Sequence, residues 1–319
     1  MRVVSQIALV VLLILGLVWF WHSPLREALR GHLQDERPTS ESTDETPRER
    51  IQIFDEAPAP PPPDRPAEDI VNPRTRAGEP LVVELVEDPA THYSQPRMTE
   101  ADRHYGRLAG RLDGLRYEPA LGHAARELAG FHSQTDRLAS GEVLSFLLDA
   151  AGAAEWTVEQ LVTVTTQEGD EPIEAQLARA RETWRRGEPS LRIGIGEAWT
   201  LARPARRHLI ALVTRGRLEL DRVPRTVSLG SSLDVSGRVP AAIPEVEILV
   251  MGPDLVVKEA AVTRRGDRFE AILPMGEVRG QTWIELIGDG PTGPKPMAQL
   301  SVFVGEELPW SFETTWPPD

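Results

Sequence analysis

Residues 191–215 read LRIGIGEAWTLARPARRHLIALVTR. Two apolar runs, Leu191–Ala202 and His208–Thr214, flank a basic turn around Pro204. Short apolar runs of this kind, bounded by turn residues, predict a pair of strands closing a small sheet. Gly194-Ile195-Gly196 lacks the remaining glycine of a dinucleotide-binding loop, and no crossover unit surrounds it. Two glycines in a strand instead predict a bulge or the close approach of another backbone. Arg203, Arg206 and Arg207 form the strongest local basic cluster, at the hairpin tip. Such a cluster reads as a solvated turn or, functionally, as a contact for the phosphates of lipid head groups or for an acidic partner, the chain's own linker included.

Upstream of the hairpin the pattern turns helical. Thr99, with Asp102 three residues on, has capping-box spacing, and Tyr105, Leu108, Leu112 and Leu115 recur at helical intervals. Pro119 opens a second helix, in which Leu121, Ala125, Leu128 and His132 share a face. Ser140 caps a third, with Val143, Leu144, Leu147 and Leu148 inward and Gly152 at its end. Leu161–Thr166 is strand-like, and Pro172 starts a fourth helix ended by Gly187. Helices on a small antiparallel sheet predict an α+β or three-layer domain over residues 97–215.

Two stretches here bring a family into view. GLRYEPALGHAARELAGFHS, Gly114–Ser133, resembles the opening of a CAP domain, of the cysteine-rich secretory, antigen 5 and pathogenesis-related-1 superfamily. RETWRRGEPSLRIGIGEAW, Arg181–Trp199, resembles that family's later segment, where a helix with a tryptophan precedes a V-G-I-G-like strand. The resemblance implies a three-layer CAP-like domain whose cleft uses two histidines and two carboxylates. Only His132 matches that set; the Gly-Glu-Asn segment is absent. Glu188-Pro189-Ser190-Leu191-Arg192 stands where bacterial relatives carry Ser-Pro-Gly-His-Arg. The implied domain is therefore degenerate, its metal-binding cleft lost, with no metal and no cofactor expected and His132 as the weak catalytic candidate.

Residues 216–305 are all β by pattern, with short apolar runs separated by turns such as Gly252-Pro253-Asp254 and Arg265-Gly266-Asp267. That spacing predicts an immunoglobulin-like sandwich. The G-D-G-P-T-G-P turn followed by V-F-V-G is similar to a β-module that accompanies CAP-like domains in myxobacterial envelope proteins. The tail, residues 306–319, holds Trp310, Phe312 and Trp316, aromatics expected either to cover the sandwich or to dock on a partner.

At the other end, Ile7–Trp21 is an unbroken apolar run. It predicts a transmembrane anchor over residues 1–22, uncleaved rather than a signal peptide. Residues 23–96 read as an acidic, proline-rich disordered linker. Within it, Ile51–Phe54 and Leu81–Val86 are short patches able to add an edge strand to a domain. A short N-terminal tail predicts a single-pass inner-membrane protein with its body in the periplasm.

The 319 residues contain no cysteine, which excludes a disulfide framework, zinc ribbons and thiol catalysis. With 35 basic against 49 acidic residues, the net charge of −14 argues against a nucleic-acid partner. No histidine pair has metalloprotease or zinc-finger spacing. His132, Ser133 and Asp136 lack the elbow motif of a hydrolase triad. The expectation is a non-catalytic, membrane-anchored binding or scaffold protein, its partners the lipid bilayer and an envelope protein. The alternatives are a CAP-like hydrolase or metal-dependent enzyme centred on His132, and a module that binds an apolar ligand.

Overall fold

A computed structural model describes residues 78–315, apart from 95–97, 113, 156, 185–190, 201–203, 217 and 291–292. The first half contains β1 (Pro80–Glu84), β2 (His92–Tyr93), α1 (Glu100–Ala109), β3 (Leu115–Tyr117), α2 (Pro119–Thr135) and α3 (Gly141–Ala150). Then come β4 (Val158–Thr165), α4 (Glu171–Trp184), β5 (Leu191–Trp199) and β6 (Arg207–Arg215). The second half is made of strands: β7 (Glu219–Leu220), β8 (Val223–Pro224), β9 (Thr226–Val227), β10 (Ser232–Arg238) and β11 (Glu245–Met251). They continue as β12 (Val257–Ala260), β13 (Val262–Arg265), β14 (Arg268–Pro274), β15 (Gly280–Gly290), β16 (Gly293–Val304) and β17 (Ser311–Thr315).

Three of the helices start where their sequences say they should. Thr99 caps α1 in a reciprocal box with Asp102, and the Ser140 hydroxyl accepts from the Val143 amide at the start of α3. Pro119 sits in the first turn of α2, where a missing N–H costs no hydrogen bond. One four-stranded sheet, in the order β3-β5-β6-β4, lies between the helices. Its central strand β6 is buried from Arg207 to Thr214, and its side chains serve opposite faces in turn. Ile210 and Leu212 pack with Leu121, Leu128, Val143 and Leu147 of α2 and α3. Leu209, Ala211 and Val213 pack with Tyr105 and Leu108 of α1 and Ile173 and Leu177 of α4.

The glycine pair of β5 has a clear steric purpose. A Cβ at Gly194 would stand 2.0 Å from the Leu121 carbonyl carbon, and one at Gly196 2.1 Å from the Arg126 amide nitrogen. Both would collide with the backbone of α2, so the helix lies on the sheet as closely as two bare Cα positions allow.

The later strands form two sheets, β13-β14-β10-β7 and β12-β11-β15-β16-β9, with β9 parallel to β16. Leu233, Val235, Phe269 and Leu273 from the first share one core with Ile248, Ile284, Leu286 and Leu300 from the second. Tyr93 of β2 belongs to that core, and β2 pairs with β8. A buried polar latch sits beside it. Arg225 donates to Asp149 at 2.7 Å and to the Ala90 carbonyl at 2.8 Å, and the Tyr93 hydroxyl also donates to Asp149. Burial pushes the Asp149 carboxyl up, against the pull of Arg225 and Tyr93.

Two expectations are corrected here. The α+β, three-layer CAP-like domain does not describe the chain: strand residues well outnumber those of the four helices, so the described residues are mostly β. The physical reason is that short β-favouring runs pair over long sequence distances. Within the stretch read as linker, the Leu81–Val86 patch supplies the edge strand expected of it, as Pro80–Glu84 pairs with Ser311–Thr315 of the tail, while Leu115, assigned to a helix, opens β3. The transmembrane helix, and with it the single-pass anchor, inner-membrane location and periplasmic body, is corrected as far as the described residues reach. Among the described residues no helix is long and apolar enough to cross a membrane. The longest, α2, has 17 residues and carries Arg126 and Glu127, whereas a bilayer asks for about 20 apolar residues. The Ile7–Trp21 run and the Ile51–Phe54 patch lie outside the described residues.

Candidate functional site

Helix α2 ends on Asp136, which takes the left-handed conformation (φ 53°, ψ 27°) and returns its amide to the His132 carbonyl. Aspartate is one of the few residues that tolerate this conformation, and it turns the chain sharply off the helix. His132 is thereby held in the last turn. His208 enters from β6, paired in register with Ala198 of β5 and Val164 of β4. It shares a face with Ile210 and Leu212, the face that α2 covers. The two imidazoles meet with their Nδ1 atoms 2.8 Å apart and their ring centroids 5.0 Å apart.

Both rings are buried, at 8% and 1% exposure, while the Asp136 side chain is exposed. One ligand atom from each of His132, Asp136 and His208 lies within 4.8 Å of the others. Burial pushes the His132 imidazole below its ordinary range, with Asp136 opposing. Burial also lowers His208, helped by the neighbouring His132 and Arg206 and opposed by Asp136. Burial thus favours the neutral form of both rings, and neutral imidazole is the form that binds metals. His208 Nε2 is buried without a hydrogen-bond partner.

Sequence reasoning named His132 and missed His208. Seventy-six positions separate them, and no local motif spans that distance. The signal that was available is the alternation His208, Ile210, Leu212 along a buried strand. Ser133 does not join the cluster; its hydroxyl donates to the Gly130 carbonyl at 2.8 Å.

The arginines of the hairpin divide. Arg207 is buried, and its guanidinium donates to Glu197 at 2.6 Å, to the Glu168 carbonyl at 2.9 Å and to the Tyr105 hydroxyl at 3.2 Å. The Tyr105 hydroxyl itself donates to Glu197 at 2.9 Å. Arg207 therefore fastens the loop before α4 and is not presented outward. Arg206 is exposed, and Arg203 lies outside the described residues. In the tail, Phe312 stacks on Phe146 of α3 with centroids 5.4 Å apart, Trp310 is 55% exposed, and Trp316 lies outside the described residues.

A second concave feature lies where the ends of β3, β4, β5 and β6 meet β7 and β16. It is a cleft of about 640 Å³. Arg192 and Glu155 form an ion pair in it, 3.4 Å long, and Arg192 also donates to the Leu218 carbonyl at 2.6 Å. Glu118 is half-buried there. Burial raises its carboxyl, the charge of Glu155 adds to the effect, and Arg192 and Arg116 oppose it.

No family model matches the chain. No curated protein matches it either. Among solved structures, a DUF4785 family protein from Legionella pneumophila is similar at 13% identity and a TM-score of 0.21, over 35% of this chain and 32% of its own. The twitchin kinase region from C. elegans is similar at 17% identity and a TM-score of 0.17, over 25% of this chain and 14% of its own. Likeness at that level carries no argument about fold or function. The CAP and immunoglobulin resemblances thus gain no support from known proteins, and the chemistry has to be read from the side chains.

Proposed function

We propose that the protein is a binding protein whose functional centre, formed by His132, His208 and Asp136, takes a divalent transition metal, zinc first. The observation that supports this reading is the contact of two buried imidazoles beside a carboxylate. Imidazole nitrogen and carboxylate oxygen are ordinary zinc ligands. Two nitrogens bound to one tetrahedral zinc at about 2.0–2.1 Å stand roughly 3.3 Å apart. The Nδ1 atoms, at 2.8 Å, need to part by only about half an ångström, within the reach of a small χ adjustment. Asp136, on the surface at the end of α2, is placed to swing onto the ion. Three protein ligands leave one tetrahedral position for water or a bound molecule, where a metal acts as a Lewis acid.

The test is titration of the full chain, purified in chelator and exchanged into metal-free buffer, with Zn²⁺ by calorimetry and with Co²⁺ by absorption. One equivalent should bind, with the intense visible bands of tetrahedral cobalt. Asp136→Asn, at an exposed position, should keep the fold and weaken binding about tenfold or more, and His208→Gln should abolish it. No stoichiometric metal in the wild type, or unchanged binding in both variants, overturns the reading.

A further inference from the structure

The cleft between the helix-flanked sheet and the sandwich takes no part in the histidine site, and its charges are left in a distinctive state. Five basic and five acidic side chains line it, and no aromatic residue does. That balance disfavours a polyanion, which would be met by one sign of charge, and equally an apolar or stacked ligand. Not all these charges are satisfied within the fold. Arg116 is taken up by Glu219 at 2.8 Å, and Asp221 by Arg268 and the Ser236 hydroxyl, each at 2.7 Å.

Others have little or no partnering. Glu155 is only 11% exposed, yet its ion pair with Arg192 is 3.4 Å long, beyond a good charge-assisted bond. A half-buried carboxylate with one long contact keeps acceptor capacity open to the cleft. Glu118 stands near enough for the two carboxylates to repel. Arg238 and Lys295 are exposed, and neither makes an ion pair among the described residues. The cleft thus offers carboxylates with acceptor capacity left at half-buried positions and, among the described residues, cations without an ion pair at exposed ones. Its walls are strand ends tied together by the Glu155–Ala298 bridge and by the Gln299 amide, which donates to the Ala154 carbonyl at 3.1 Å.

We propose that this cleft binds a small zwitterion, a free amino acid or short peptide, with its ammonium group against Glu118 and Glu155 and its carboxylate toward Arg238 and Lys295. Glu118 accepts from the Ala120 amide and Glu155 from Arg192, and an ammonium adds donors for their remaining acceptor capacity and relieves their mutual repulsion. The carboxylate meets two cations that make no ion pair among the described residues. A volume of about 640 Å³ lies within the usual range for small-ligand sites and accommodates a few residues, not a folded partner.

The full chain would be screened by native mass spectrometry against the free L-amino acids and a random tripeptide library with free termini. The same library, acetylated and amidated, provides the comparison. Members of the free-terminus sets should bind, and blocking either terminus should weaken the hits at least tenfold. Glu118→Gln should weaken the same hits about tenfold with no loss of thermal stability, since burial already favours the uncharged form of that side chain. Arg238→Ala, at an exposed position, should weaken carboxylate-bearing hits and leave amidated ones unchanged. Equal binding of free and blocked libraries, no binding at millimolar concentration, or hits indifferent to both substitutions overturns the proposal.

Discussion

Replacing Gly194 by alanine should unseat helix α2 from its sheet. The added methyl would lie 2.0 Å from the Leu121 carbonyl carbon, 2.2 Å from the Gly122 nitrogen and 2.4 Å from the Leu121 oxygen. Carbon atoms pack at about 3.5–4.0 Å, so the helix must retreat by roughly 1.5 Å at this turn. All three obstacles are backbone atoms, so no side-chain rotation can make room. Retreat is opposed from behind, where α3 and Val83 close over α2. Overpacking of this kind costs about 1–3 kcal/mol, and a collision with helix backbone belongs at the upper end. At about 2–4 °C per kcal/mol for a body of this size, the thermal midpoint should fall by roughly 6–12 °C. The assay is a melting curve of the full chain by circular dichroism, with urea unfolding to confirm that the loss is one of stability. Gly141→Ala is the matched control, because a methyl there meets nothing within 4 Å and position 141 opens α3. It should leave the midpoint unchanged or raise it slightly. A Gly194→Ala midpoint within about 1 °C of wild type would refute the argument. It would mean that the sheet and the helix are not in backbone contact.

The Arg225 latch makes a second forecast. Arg225→Met leaves Asp149, whose side chain is 19% exposed, without its cation and should cost about 3 kcal/mol, whereas pairing it with Asp149→Leu should recover much of that loss. Urea unfolding of the two single variants and the double decides it, and additive losses would count against a coupled pair. In the tail, Phe312→Ala should cost about 1–2 kcal/mol through the lost stack on Phe146, while Trp310→Ala should stay within about 0.5 kcal/mol. The same melting assay compares them, and equal losses would mean that the inward and outward faces of the tail are not distinguished.

What could be read from the sequence was mostly local. The Thr99–Asp102 box, the Ser140 cap and the proline at the head of α2 are settled within a turn or two of chain, and they are found where the residues place them. The meaning of Gly194 and Gly196 was legible for the same reason, since a glycine pair inside a strand has few uses. Relations between distant residues were not legible. Val83 faces Phe312 across β1 and β17, and nothing in either segment names the other. Leu81–Val86 was legible as a possible edge strand within its proline-rich, acidic context, but its partner was not. His132 was singled out on a resemblance, yet what gives it chemical interest is His208, a residue that only the register of β6 brings to it. Arg207 shows the opposite error. A basic cluster at a turn suggested an outward surface, but alternation along a fully buried strand turned one arginine inward to four partners.

The pairing of β1 with β17 also governs how the fold would carry a load. Pro80 lies opposite Thr315, and Glu84 opposite Ser311, so the chain enters and leaves this unit side by side. A pull applied through residues 79 and 316 would open the ribbon like a zipper, one rung at a time from Pro80–Thr315. It would not shear the whole ladder at once. Phe312 would come off Phe146 before any strand of the sandwich felt tension. The ribbon is therefore the mechanical fuse of the unit, and the histidine site and the cleft both lie downstream of it.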